Sequence, residues 1–356
     1  MKLESIASAV CQTSRRDFLG FLLAAPLLSA TSRAAGADDL YAAAKREGAV
    51  HLYTGGSASG SASYVAAFKR NFPDIDVIVT GAYSNVNDKL IEEQLRQKQV
   101  TADIVSFQTI QDFVAWKRFG ELLPFKFNDF SLYATRYTDP DGAFVASSLY
   151  PLTYGYNPAA IAPAAVPKSA LDFLKPELRG KLITCYPHDD DATLYLFYTL
   201  SQKYGWEFID RYMAMDPSFV EGHLGVVQAI AAGRRAATFD CSAHTAMDIK
   251  NKGGAIDVAF SSVDPIPVFY TTNAILRAAP HPNAAKLFTS FYLSKEQQIA
   301  TETWSPRRDV PPPHGLQPLS AYQLADGYRA FMVQTSLIDD LRRRFLALTG
   351  PVVNKS

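Results

Sequence analysis

Segments with strand character and segments with helical spacing alternate along most of this chain, and that alternation restricts the fold more than any other feature. Asp39 to Arg46 has helical spacing and runs into Gly48. Val50-His51-Leu52-Tyr53 reads as a short strand, Thr54 to Gly60 as a Gly/Ser loop, and Tyr64 to Phe72 as a helix. Ile75 to Val79 alternates as a strand, Asn85 to Gln97 is helical with Ser84 as a candidate N-cap, and Ile104 to Phe107 is a third strand. Asp112 to Phe119 is a further helix, stopped at Gly120. Strands separated by helices line up with the helices laid over both faces, which predicts an α/β fold with a parallel or mixed sheet.

A second run of the same kind follows Tyr156-Asn157-Pro158. Lys181 to Cys185 is a strand, and Ala192 to Tyr204 is a helix with Leu194, Phe197, Leu200 and Tyr204 near one face. Gly225 to Ala232 is a helix closed by Gly233, and Ala236 to Phe239 and Ile256 to Phe260 are strands. Asn283 to Leu293 is an amphipathic helix, and Ser294-Lys295-Glu296-Gln297 is a capping-box start for another. The Pro-rich stretch Pro306 to Pro313 is a loop, because proline cannot sit inside a helix. Two such runs in 356 residues suit two domains, at roughly 100–200 residues each. Extended connections near 144–156 and 258–269 carry the chain across and back. The expected layout is 38–148 as lobe 1, 149–262 as lobe 2, and 263–356 returning to lobe 1 with the C-terminal helices. A cleft between lobes is where ligand sites concentrate.

The N-terminus has a different character. Ser14-Arg15-Arg16-Asp17-Phe18-Leu19 sets two adjacent arginines before the apolar run Phe18 to Leu28, and Ala35-Gly36-Ala37 follows with small residues. The run is too short to span a bilayer, which takes roughly 20 apolar residues. A basic segment, a short apolar segment and a small-residue site form a cleavable export signal, here of the twin-arginine (Tat) kind. Residues 1–37 are the expected signal, Asp38 the expected mature start and the periplasm the expected location. No later stretch is apolar for long enough to insert stably in a membrane, and the expected mature start is Asp38 and not a Cys that could carry a lipid.

Lys plus Arg and Asp plus Glu balance at 35 each, and removal of the signal leaves a slight acidic excess. Such a balance carries no footprint for nucleic acid. Cys185 and Cys241 remain, both at ends of expected strands; a disulfide and two buried thiols are equally good readings.

Several short stretches, in this order, resemble the periplasmic solute-binding proteins of ABC importers, of the iron(III), thiamine and phosphonate type. They are Leu40 to Gly48 with Val50 to Thr54, Ala102-Asp103-Ile104-Val105, Tyr154-Gly155-Tyr156-Asn157, Ala229 to Gly233, and Ala279 to Phe288. The resemblance implies a two-lobed type II periplasmic binding fold. Each lobe is a mixed sheet flanked by helices, and two crossover strands form the hinge. It implies a monomer that captures a small solute by hinge closure and delivers it to a membrane permease and its ATPase, with no cofactor and no catalysis. By position it implies ligand contacts in four loops. These hold Thr54, Gly55, Gly56, Ser57 and Ala58; Phe107 and Gln108, before Thr109; His188, Asp189, Asp190 and Thr193, around Asp191; and Asp240, Ser242 and His244. Tyr154 joins them from the first crossover, as tyrosines near crossovers can stack on or bond a ligand. Tyr53, Tyr83, Tyr150, Tyr156 and Tyr270 have similar placements.

Iron-binding members of the type carry a Tyr-Tyr pair where this chain reads Phe239-Asp240-Cys241-Ser242-Ala243-His244, and no Tyr-Tyr dipeptide occurs. Phenolate is the hard donor that suits ferric iron, so binding through the usual pair is not expected; a metal held by Asp and His is the alternative. The run His188-Asp189-Asp190-Asp191 can hold a divalent cation or a cationic ligand group, or can cap a helix, where an Asp contributes on the order of 1 kcal/mol. Three acids at a cleft disfavour a strongly anionic ligand unless arginines such as Arg307 and Arg308 offset them. An enzyme reading would start from Cys241, Asp240 and His244, but nucleophile and base usually converge from distant segments. Gly-x-Ser-x-Gly, His-Glu-x-x-His and P-loop motifs are missing. A periplasmic enzyme and a partner that presents its ligand to a sensor remain as alternatives of other classes.

Overall fold

The computed structural model describes residues 38–353; the export-signal reading falls on residues outside that range. Helix α1 (38–47) leads into β1 (Ala49–Gly55). Helix α2 (Ala62–Asn71), β2 (Asp76–Ala82), α3 (Ser84–Gln97), β3 (Ile104–Phe107), α4 (Ile110–Arg118) and the short β4 (Leu122–Leu123) follow. β1 pairs with β2 and β3 in parallel, as the alternation predicts. Every residue of β3 is buried, which fits a strand covered by helices on both faces.

Two long strands then cross the molecule. β5 (Val145–Tyr156) is buried along almost its whole length. β6 (Ile183–Cys185), α5 (Asp191–Tyr204), α6 (Trp206–Met213), β7 (Ser218–Val220), α7 (His223–Ala231), β8 (Ala237–Ser242), α8 (Ala243–Asn251) and β9 (Asp257–Ala259) form the next group. β10 (Ile266–Leu276) returns. β10 runs antiparallel to β3 at one end and to β5 along its length, while β5 pairs antiparallel with β8 and β9 at its far end. The order β2-β1-β3-β10-β5-β8 therefore threads one curled mixed sheet through both groups. Register shifts interrupt both long strands, between Thr271 and Thr272 and between Thr153 and Gly155. Such irregularities bend a strand and raise its twist, which lets one sheet serve two packed bodies.

The second crossover lies later than residues 258–269. Asp264 explains the offset. Its buried carboxylate accepts from the Ala170 amide, Tyr154 Oη, Tyr204 Oη and Lys203 Nζ, and this knot pins a turn between β9 and β10. Residues 240–244, expected as a loop, are instead the end of β8 and the start of α8.

Helices α9 (Pro282–Tyr292) and α10 (Lys295–Ala300) return to the first group, where Phe68, Ile104, Ile275 and Phe288 share a buried cluster. Ser294 caps α10 by accepting from the Gln297 amide, as the capping-box signature predicts. The short β11 (Leu324–Ala325), α11 (Tyr328–Met332) and α12 (Thr335–Thr349) close the chain. Phe345 of α12 packs on Phe197 and Trp206 of the second group. Among the described residues no helix is long and apolar enough to cross a membrane.

Candidate ligand-binding cleft

Two walls face one another across a cavity of about 180 Å3. The first is built from strand ends and helix starts of the N-terminal group: Gly55, Gly56, Tyr83, Ser84, Asn85, Gln108 and Thr109. A Cβ at Gly55 would lie 2.1 Å from Ser84 Oγ, so glycine there lets β1 approach the start of α3. Ser84 Oγ accepts from the Gln108 amide at 3.2 Å, joining two of the lining turns. The fully buried Asn87 of α3 donates from Nδ2 to the carbonyl of Thr54 and, at 3.3 Å, to that of Thr80. α3 is thereby fastened over β1 and β2.

The second wall comes from the starts of α5 and α7: Asp189, Asp190, Asp191, Glu221, Gly222 and His223. Asp190 is the N-cap of α5 and accepts from the Thr193 amide at 2.9 Å. Asp191 accepts from Arg342 of α12 and from Gln111 of α4, the latter at 3.1 Å. Gly222 has φ of +72°, a conformation side chains resist, and a Cβ there would meet Tyr83 Oη of the opposite wall at 3.1 Å.

His223 is the electrostatic centre of the second wall. Its Nε2 lies 3.0 Å from Asp240 Oδ1, its Nδ1 lies 3.6 Å from Asp190 Oδ2, and its ring stacks on Phe269 of β10. Burial alone would lower the imidazole pKa; Asp190 and Asp240 outweigh it and push the value up to about 9. Burial opposes the ionised Asp240, yet His223 and the donors around it hold its carboxyl below the usual range. Those donors are Thr184 Oγ1, the Cys185 amide and Thr193 Oγ1, all on Oδ2. Cys185 Sγ, a His223 ring nitrogen and an Asp240 oxygen lie within 4.8 Å of one another. The imidazole nitrogens already face carboxylates, and burial pushes the Cys185 thiol up, away from the thiolate a metal needs. The cluster reads as a buried ion pair under the cleft floor. Cys185 and Cys241 are both free thiols.

Of the residues singled out from sequence, Gly55, Gly56, Gln108, Asp189 and Asp190 line the cavity, together with Thr109 and Asp191 of the same loops. Asp240 and Thr193 stand behind the lining and hold His223. Thr54 is buried one residue before the lining glycines. Ser57 and Ala58 enter a turn of 3-10 helix beside Gly81 and do not reach the cavity. Phe107 is a core residue packed on Phe113 and Trp116. Tyr154 is buried and donates to Asp264. His188 turns to Thr349 and Tyr186. Ser242 is buried and accepts from Thr245 Oγ1, and His244 packs on Tyr150. Arg307 is bound to Asp309 and lines a separate groove with Arg308, so neither arginine offsets the acids of the cleft. Sequence reasoning passed over Ser84 and Asn85 as ligand contacts and Glu221-Gly222-His223 altogether. The last is a Gly-containing turn ahead of a helix, the same pattern that marked Gly55-Gly56.

Facing walls of helix starts and strand ends, joined by two crossover strands, define a two-lobed binding protein of the type II fold. Solved structures agree on the fold. The substrate-binding protein of the ABC transporter from Agrobacterium tumefaciens superposes with a TM-score of 0.75 at 15% identity, covering 85% of this chain and 94% of that one. AfuA from Actinobacillus pleuropneumoniae, with fructose 6-phosphate bound, gives 0.72 at 15% identity over 84% and 98%. Iron-bound HitA from Pseudomonas aeruginosa gives 0.71 at 19% identity over 83% and 99%. No curated protein sequence matches significantly. Residues 31–299 match the family described as bacterial extracellular solute-binding protein, and the chain belongs to that family.

Proposed function

We propose that this chain captures a small solute in the cleft between its walls and delivers it to the permease of an ABC importer, whose ATPase drives uptake. The observation that carries the reading is the cavity bounded by the starts of α3 and α4 on one side and of α5 and α7 on the other. A solute that touches both walls gains contacts only when they are close, so it draws the population toward the closed state. β5 and β10 serve as the hinge. On this reading residues 38–148, 149–262 and 263–356 are the first lobe, the second lobe and the returning segment. The protein works as a monomer in the periplasm, reached through the Tat signal at residues 1–37, and carries out no chemistry on its solute.

A thermal-shift screen with small solutes tests the reading. A ligand at one hundred times its Kd stabilises the folded state by about 2.7 kcal/mol, which raises Tm by several degrees. The shift should vanish when Gly222 is replaced by a bulky residue that wedges the walls apart. A solute that stabilises the Gly222→Phe variant as strongly as the parent binds elsewhere and contradicts the reading.

A further inference from the structure

We propose that the solute is a small organic cation, an ammonium or guanidinium compound with a polar body, held between Asp189, Glu221 and the ring of Tyr83. This rests on the cleft being the ligand site. The lining contains four carboxylates and neither lysine nor arginine. Two of the four are engaged: Asp191 with Arg342, and Asp190 with His223 and the Thr193 amide. The positive charge of His223 is in turn shared between Asp190 and Asp240. Among the described residues, the side chains of Asp189 and Glu221 have no hydrogen-bonded or ion-paired partner. Both are half-buried at the cavity edge, where screening by solvent is reduced.

The surroundings reinforce the sign. Burial and Asp190 push the Asp189 carboxyl up, against His188, Arg342 and Lys89, which act the other way. Behind the first wall, burial raises Asp112 to about 7, and Asp88, Glu92 and Asp191 push in the same direction. This is a negative region with too few cations, and a bound cation would relieve it. The Tyr83 ring offers the aromatic face that cations favour. A second, separate feature calls for a ligand. Thr109 borders the cavity and is 2% exposed, yet its hydroxyl has no bonded partner. It sits beside the Asp112 carboxyl, close enough that the hydroxyl acts to lower that carboxyl's pKa, but the contact falls short of a well-formed hydrogen bond. A buried hydroxyl left unpaired is costly, and a polar group on the ligand would satisfy it. Asn85 and Gln108 extend the same polar strip.

Isothermal titration of the full chain with putrescine, agmatine and ethanolamine, set beside inorganic phosphate, fructose 6-phosphate and ferric citrate, tests the proposal. At least one amine should bind at least tenfold more tightly than any of the anionic or ferric probes. Asp189→Asn and Glu221→Gln should each weaken it by about tenfold or more. The same two substitutions should leave Tm of the ligand-free protein unchanged, since neither side chain has a hydrogen-bonded or ion-paired partner to lose; a clear drop would make the carboxylates structural and overturn the proposal. Tight binding of phosphate, sugar phosphate or iron that Gly222→Phe abolishes would leave the cleft as the site and refute the cationic class. An amine that binds equally well to both carboxamide variants sits elsewhere, which refutes it too. So does silence of all three amines up to about 10 mM, a concentration that detects even weak specific binding.

Discussion

At the scale of single residues, Asp240 carries the most consequence for its size. It is fully buried, accepts from Thr184, Cys185 and Thr193, and faces His223. Removing one member of a buried pair strands the other charge, which costs about 3–5 kcal/mol. Asp240→Ala should therefore lower the denaturant midpoint by that equivalent; a loss under 1 kcal/mol would show that the pair is not formed. The pair also dictates a pH dependence. The folded pKa of His223 stands above its unfolded value, so its stabilisation is complete below about 6.5 and is lost as pH rises through about 9. Asp240 is shifted the other way, so its contribution is present above its unfolded value and is lost as acid titrates the folded carboxyl. Stability measured by urea unfolding should thus decline between about pH 6.5 and 9, and His223→Gln should flatten that decline. An unchanged slope in the variant would assign the decline to another group.

At the scale of elements, helix starts make the site, and their cost shows at Gly222. Its positive φ and the Tyr83 hydroxyl 3.1 Å from its missing Cβ mean that Gly222→Ala strains the backbone and pushes on the opposite wall. The expected loss is about 1 kcal/mol or more of stability, together with weaker solute binding, both measurable by thermal melts with and without ligand. Full binding in Gly222→Ala would contradict the close approach of the walls. This level also shows what could be read in the sequence. β1, α3, β3 and α5 were legible because their apolar spacing and bounding glycines or acids are local signals. The same holds for Gly55, Gly56, Gln108, Asp189 and Asp190, which flank those elements. Tyr154 misled because a tyrosine at a strand end looks alike whether it faces a ligand or a carboxylate such as Asp264, which lies 110 residues away. Asp240 looked like a loop residue because polar side chains at the end of β8 mimic a turn; only the donors from Thr184 and Thr193 make its burial tolerable. Glu221-Gly222-His223 went unread because the apolar pattern of α7 becomes clear only after Gly225, whereas the helix starts at His223.

At the scale of the whole molecule, one curled sheet runs through both groups, and β5 and β10 are the strands they share. The walls of the cleft lie on opposite sides of those strands, and on the proposed function the register shifts near Thr153 and Thr271 are where bending would bring one wall toward the other. A direct link already crosses between the groups, from Gln111 of α4 to Asp191 at the start of α5. Closure around a solute would shorten or multiply such links rather than rebuild either core, because packed interiors resist deformation. Hydrogen–deuterium exchange of the full chain, with and without a solute that raises its Tm, tests this arrangement most directly. Peptides covering 83–85 and 108–111 should gain protection together with peptides covering 189–193 and 221–225. Protection confined to one of the two walls, or absent from both, would contradict a solute bound between them.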